Sequence, residues 1–233
     1  MEAAEKEVMD IAKLGKVLDL SHVLVPGEEE FPLEIETKFT DEVMSRIQRK
    51  KDTWYILQTV TIGSHSGTHI EFPYHHVKEG MSAAEYPLDR MMGETVLLDF
   101  SHKKKDEIIS KEDIIETGIE IREGDILFIR TDMDKLWKTP QGHDRPCLSI
   151  EATQWLVEEI KIKLIGTDAT GLEVRGRDDQ PVHMLLLGND VAKIESLKDL
   201  DKIKQTRFNT MTMPIKVKGM DACPVRVTAF LNE

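Results

Sequence analysis

The sequence predicts one α/β domain built on a mixed β-sheet, and three observations carry that prediction. Stretches rich in β-branched and aromatic residues recur along the chain, strands outnumber helix signals, and the connections between them are too uneven for a repeating βα unit. In chain order, residues 2–14 place Val8, Ile11, Ala12 and Leu14 among charges and read as a weak amphipathic helix ended by Gly15. Val17–Leu20 reads as a short strand. Trp54–Ile62, Thr95–Phe100, Asp125–Arg130, Lys163–Ile165, Met213–Val217 and Val225–Phe230 read as the main sheet. Between them, Ser110 with Asp113 three residues on resembles a capped helix start. Ser149-Ile150-Glu151-Ala152 opens a clearer helix whose apolar positions include Ala152, Trp155, Leu156 and Ile160. No internal repeat or linker composition divides residues 1–233, so a single domain is expected.

Composition excludes several function classes. Lys plus Arg number 31 against 43 Asp plus Glu, a formal charge of −12, which repels a nucleic-acid backbone or an anionic membrane over most of the surface. No apolar run approaches the roughly 18 residues of a membrane span, and the charged N-terminus lacks a signal-peptide pattern, so a soluble cytoplasmic protein is expected. The short charge runs Glu28–Glu30 and Lys103–Lys105 read as solvated turns. Two cysteines, Cys147 and Cys223, are too few for a disulfide framework or a four-cysteine zinc site. Any metal must therefore be held by imidazole and carboxylate.

Histidine placement is the informative feature. His65, His69, His75 and His76 fall within twelve residues, where an even scatter of 8 histidines would put about 0.4. Gly67, Thr68 and Pro73 argue against a helix in this segment. An extended chain would instead point His65, His69, Glu71 and His75 to one side. In a straight strand His65 and His69 would stand about 13 Å apart at Cα, near the limit for sharing one ion, so the chain must bend between them. Gly67 supplies the freedom, and Thr68 is expected to fix the bend through side-chain hydrogen bonds to the backbone. Two His and one carboxylate with a position left for water is the ligand set of a hydrolytic site rather than a closed structural one.

The stretch His65-Ser66-Gly67-Thr68-His69-Ile70-Glu71-Phe72-Pro73-Tyr74-His75 resembles the H-x-G-T-H-x-D-x-P-x-H motif of the cyclase family, which includes bacterial kynurenine formamidases and isatin hydrolases. Similarity continues through Asp19-Leu20-Ser21-His22, Pro26-Gly27, Gly166-Thr167-Asp168, Pro181-Val182-His183 and Ile194-Glu195-Ser196-Leu197. The resemblance implies a swivelling β/β/α domain, His65, His69 and Glu71 as metal ligands, and His75 as the acid/base residue, with His76 the alternative. It further implies that His183 and Glu195, twelve residues apart, complete a two-metal site. One helix joining them would turn them about 120° apart, so an interruption at Gly188-Asn189 is expected. Glu71 departs from the family's usual Asp; the extra methylene sets the chain further from the ion and bears on metal spacing and on occupancy of the second site.

Asp168, Glu173 and His76 are candidates for orienting ligand imidazoles. His22, His102 and His143 read as surface or substrate-loop residues, and Trp54 and Trp137 as either pocket walls or core. The implied cofactor is zinc or manganese, one or two ions per subunit. The implied function is hydrolysis of a small amide, a formamide of the formylkynurenine type or a cyclic amide such as isatin. Hydrolysis or closure of another small-metabolite ring, or noncatalytic binding, are the alternatives. A homodimer or homotetramer is also implied, with the N-terminal segment and loops such as 22–50 completing a neighbour's site.

Overall fold

The strands are β1 (Lys16–Asp19), β2 (Leu33–Phe39), β3 (Ile56–Ile62), β4 (His69–Glu71), β5 (Met92–Asp99), β6 (Ile108–Ile109), β7 (Ile126–Arg130), β8 (Cys147–Leu148), β9 (Leu164–Thr167), β10 (Ala192–Glu195), β11 (Arg207–Met213), β12 (Ala222–Pro224) and β13 (Arg226–Leu231). The helices are α1 (Thr40–Val43), α2 (Lys111–Glu116), α3 (Ile150–Gln154) and α4 (Pro181–Gly188). The structure is a computed structural model describing residues 15–174 and 176–232; the helix expected over residues 2–14 lies outside them.

Nine strands form one mixed sheet in the order β1-β13-β11-β5-β7-β9-β10-β4-β12. Its centre, β5-β7-β9-β10, is parallel, and the strands flanking it on both sides are antiparallel. Period-two alternation divides the apolar residues between two faces. Val96 and Leu98 of β5, Leu127 and Ile129 of β7, and Ile165 of β9 pack under the helices, against Ile114, Ala152, Leu156, Val182 and Leu186. The intervening residues Leu97, Ile126, Phe128 and Leu164 face the other way. There they meet Ile70 and Phe72 near one end of the sheet and Val227, Ala229 and Leu231 near the other, so the sheet curls around its own second face. Val225 alone separates β12 at one edge from β13, and its N–H donates to Thr68 O at 2.9 Å.

The helix starts follow the expected capping. Ser110 Oγ accepts from Asp113 N at 3.1 Å while Asp113 Oδ2 accepts from Ser110 N at 2.8 Å. Ser149 Oγ accepts from Ala152 N at 2.9 Å, and α3 then widens into a π-helical segment over Trp155–Ile160. α4 ends at Gly188, and the chain turns through Asp190 at φ 59 into β10.

Several readings need correction. The strand expected over Met213–Val217 is Arg207–Met213: Phe208, Thr210 and Thr212 alternate into the interior, whereas Pro214 lacks a ladder N–H and Ile215 is exposed. β2 is a further strand, signalled by Leu33, Ile35, Thr37 and Phe39 alternating with charged residues; with β3 it forms a two-stranded arm separate from the main sheet. β4 and β10 are too short to show a period. No helix among the described residues is long and apolar enough to cross a membrane.

Phe128 is fully buried, and a Cβ built on Gly166 would lie 2.7 Å from its ring. Phe128→Ala is expected to destabilise the fold by about 3–5 kcal/mol, and Gly166→Ala by about 1–3 kcal/mol through overpacking, both read as shifts in urea unfolding midpoint.

Candidate metal centre

The histidine-rich segment is not one extended strand. Gly63–Thr68 is a turn, only His69–Glu71 is strand, and Pro73–His75 is a 3-10 turn begun by the fixed φ of Pro73. The bend falls where expected, at Gly67, which has φ +61 and where a Cβ would come within 2.3 Å of Leu24 Cδ2. Thr68 secures it by long-range bonds rather than local ones. Its hydroxyl accepts from His22 N at 3.0 Å and donates to Ser196 O at 2.5 Å, tying the turn to the start of the domain and the end of β10.

β4 lies between β10 and β12, and its register sets the site. His69 stands opposite Glu195, and Glu71 opposite Lys193, so all four side chains share one face. Ile70 and Ile194, between them, face the core. Asp221, just before β12, brings its carboxylate alongside: Oδ2 lies 3.0 Å from His65 Nε2 and 3.0 Å from His75 Nδ1. From the helix side, α4 presents His183, whose backbone N and Nδ1 both donate to Glu173 Oε2, at 3.1 and 2.9 Å.

These partners assign the tautomers. His69 Nδ1 lies 2.8 Å from Gly67 O, which can only accept, so Nδ1 carries the proton and Nε2 keeps its lone pair. Asp221 likewise takes the Nε2 proton of His65, leaving Nδ1 bare. His65 Nδ1 and His69 Nε2 are then 3.2 Å apart, with Glu71 Oε1 at 3.3 and 3.5 Å from them and Glu195 Oε2 at 3.7 Å from His69 Nε2. Two imidazole lone pairs and a carboxylate converging in a nearly buried space are a donor set suited to a divalent cation. His65, His69 and Glu71 therefore could hold a metal, and their ligand atoms lie within 4.8 Å of one another.

A second trio, Glu71, His183 and Glu195, meets the same distance criterion. The ammonium of Lys193 sits within it, 2.9 Å from Glu71 Oε2, 2.5 Å from Glu195 Oε1 and in contact with His183 Nε2. Burial pushes the Glu71 carboxyl up, but Lys193 together with His65 and His69 holds it well below the usual carboxylate range. Burial opposes the His65 charge, yet Glu71 and Asp221 raise its pKa. For His75 burial prevails and lowers it.

Other expected residues separate. Glu173 fixes the His183 ring by accepting from its backbone N and Nδ1. Asp168 touches no ligand imidazole: it accepts from Thr131 N, Thr131 Oγ1 and Asp132 N at 2.8, 2.6 and 2.9 Å, fixing the turn after β7, and burial raises its pKa to about 7. His76 packs between the rings of His75 and His183 at 4.7 and 5.1 Å, and burial lowers it to about 4. Trp137 stacks on His22 at 4.4 Å and, with Phe31, His65, His69 and His143, lines a cleft of about 480 Å³. Trp54 is exposed and edge-on to Phe39 at 6.0 Å; it lines a separate hollow with Thr37, Phe39 and Ile56, away from the histidine cleft. Asp221 and Lys193 are functional residues that sequence reasoning missed. Asp221 carries no local signal; Lys193 carries one, a lysine two residues before Glu195 in an otherwise apolar run.

Residues 18–174 match the family model described as "Putative cyclase". The kynurenine formamidase of Erythrobacter litoralis is 26% identical over 208 residues, covering 89% of this chain and 90% of that one. Isatin hydrolase A from Labrenzia aggregata, bound to benzyl benzoate, superposes with TM-score 0.76 at 23% identity over 94% of each chain, a likeness of fold. A Bacillus stearothermophilus protein described as a "predicted metal-dependent hydrolase" superposes with TM-score 0.72 at 26% identity, covering 92% of this chain and 97% of its own. The matched span carries the bent His65–His76 segment and the strand end at Gly166–Asp168, and by that match the chain belongs to the cyclase family.

Proposed function

We propose that the protein is a metal-dependent hydrolase of a small amide, with an aryl formamide or a cyclic amide of the isatin type as substrate and zinc or manganese as the ion. The observation that carries this reading is the convergence of bare His65 Nδ1, His69 Nε2 and Glu71 Oε1 beside a histidine that Asp221 orients. Relatives named kynurenine formamidase and isatin hydrolase support the amide class. Bound at His65, His69 and Glu71, a divalent cation supplies Lewis acidity, lowering the pKa of water towards about 7 and polarising a carbonyl oxygen.

The chain's own residues manage the proton and the substrate. Asp221 accepts the Nδ1 proton of His75, so His75 presents a bare Nε2 as base. It takes a proton as the water oxygen bonds to the amide carbon. It returns that proton to nitrogen as the C–N bond breaks, so the carboxylic acid and amine form with no net proton change at His75. Asp221 holds His65 and His75 with one oxygen, which couples the positions of ligand and base. Trp137, stacked on His22, offers a flat wall for an aromatic substrate in the cleft.

The β2–β3 arm exposes Ile35, Val60 and Trp54, apolar surface that supports assembly as a homodimer or homotetramer. With two cysteines in 233 residues, the composition suits a cytoplasmic setting.

His75→Ala is expected to retain the cation by elemental analysis while turnover of N-formylkynurenine or isatin falls about 100- to 10,000-fold; full activity would remove His75 from the mechanism. Asp221→Asn is expected to weaken cation binding about 10- to 100-fold in competition with a chelator, because it loosens a ligand's orientation. Bound metal without turnover of any formamide, cyclic imide or lactone in a panel would leave a binding protein instead. Light scattering should return the mass of a dimer or tetramer, and a monomer would overturn the assembly.

A further inference from the structure

We infer that the ammonium of Lys193 takes the place of a second cation, so that each subunit holds a single divalent ion. The inference rests on the proposed ion at His65, His69 and Glu71, and it turns on how the two shared carboxylates are divided. Glu71 directs Oε1 to the histidine pair and Oε2 to Lys193; Glu195 directs Oε2 to His69 and Oε1 to Lys193. Each carboxylate thus bridges the proposed ion's position and Lys193 Nζ. That is the arrangement of a carboxylate-bridged two-metal site, in which the ions stand about 3.5–4 Å apart.

The fit of the ammonium is chemical as well as spatial. Glu173 takes the Nδ1 proton of His183, so His183 Nε2 is an acceptor. One ammonium is therefore hydrogen-bonded to two acceptors, His183 Nε2 and Glu195 Oε1, and ion-paired with a third group, Glu71 Oε2. Glu71 Oε2 is buried and makes no aligned hydrogen bond, so its contact with Nζ is an ion pair.

Lys193 is wholly inaccessible to solvent. Two carboxylate oxygens stand at contact with its ammonium, Glu195 Oε1 at 2.5 Å and Glu71 Oε2 at 2.9 Å, and offset the loss of water around it. Its backbone is fixed on both sides, pairing with Glu71 on β4 and Ile165 on β9, so the side chain starts from a position the sheet holds. A divalent ion placed there as well would meet an ammonium at contact distance with no solvent to screen it.

The test is a count of ions. Wild-type protein stripped with chelator, reloaded with excess Mn²⁺ and desalted is expected to retain one ion per subunit and to give the spectrum of isolated Mn²⁺ in electron paramagnetic resonance. Lys193→Met, which keeps the volume and removes the charge, is expected to retain two ions and show an exchange-coupled spectrum. Two ions in the wild type would overturn the inference, as would a single ion in a Lys193→Met variant shown by circular dichroism to be folded. If that variant does not fold, the wild-type count decides alone. Absence of retained metal in the wild type would instead sink the metal reading on which the inference stands, an outcome distinct from a count of two.

Discussion

The antiparallel register of β4 on β10 is the constraint on which the site depends. Directly opposed residues of an antiparallel pair share a face, so the pairings His69 with Glu195 and Glu71 with Lys193 place an imidazole, two carboxylates and an ammonium in one square. A slip of one residue would turn that square into the apolar core and bring Ile70 and Ile194 to the cleft. Both faces are thus specified at once, by the cost of burying charge on the wrong side and by the gain of burying isoleucine on the right one. The short β4 is held to this register by β12 on its other edge and by the bonds Thr68 makes to His22 and Ser196.

That register gathers groups that would be costly alone. Glu71, Glu195 and Lys193 are all buried, and desolvation of each opposes its charge. Their mutual contacts reverse the balance, so the cluster is stable only as a set. Outside it, Glu173 and Asp221 are the orienting carboxylates, each using one oxygen to accept two protons: Glu173 from the backbone and ring of His183, Asp221 from His65 and His75. With the Gly67 carbonyl doing the same for His69, bare nitrogens of His65, His69 and His183 face the buried cluster, which is the electronic condition for meeting a cation.

What was legible in the sequence is what chain geometry makes local. The segment from His65 to His76, the bend at Gly67, the break after Gly188 and both helix caps are set by residues within a few positions of one another. The capping box at Ser110 shows why: donor and acceptor are three residues apart. Asp221 was illegible because its partners lie 156 and 146 positions away, joined only by the curl of the sheet. Over residues 207–217 alternation outweighs apolar content, since Thr210 and Thr212 are buried while Ile215 is not, so the strand lies before Met213–Val217 rather than on it. Asp168 failed differently: a carboxylate at a strand end beside a metal motif also has a turn to hold, and Thr131 takes it.

One departure from the family pattern acquires a physical partner. Glu71 stands where the resembled motif has Asp, and directly across the ladder from it stands Lys193. An aspartate at this position would carry its carboxylate about one methylene closer to the backbone and further from Lys193 Nζ. Glutamate extends far enough to set one oxygen beside His65 and His69 and the other 2.9 Å from Lys193 Nζ. A lysine side chain rising from the neighbouring strand needs an acceptor at that greater height. On the single-ion inference, the longer acid and the buried lysine act as a pair, each meeting the other's charge across the β4–β10 ladder.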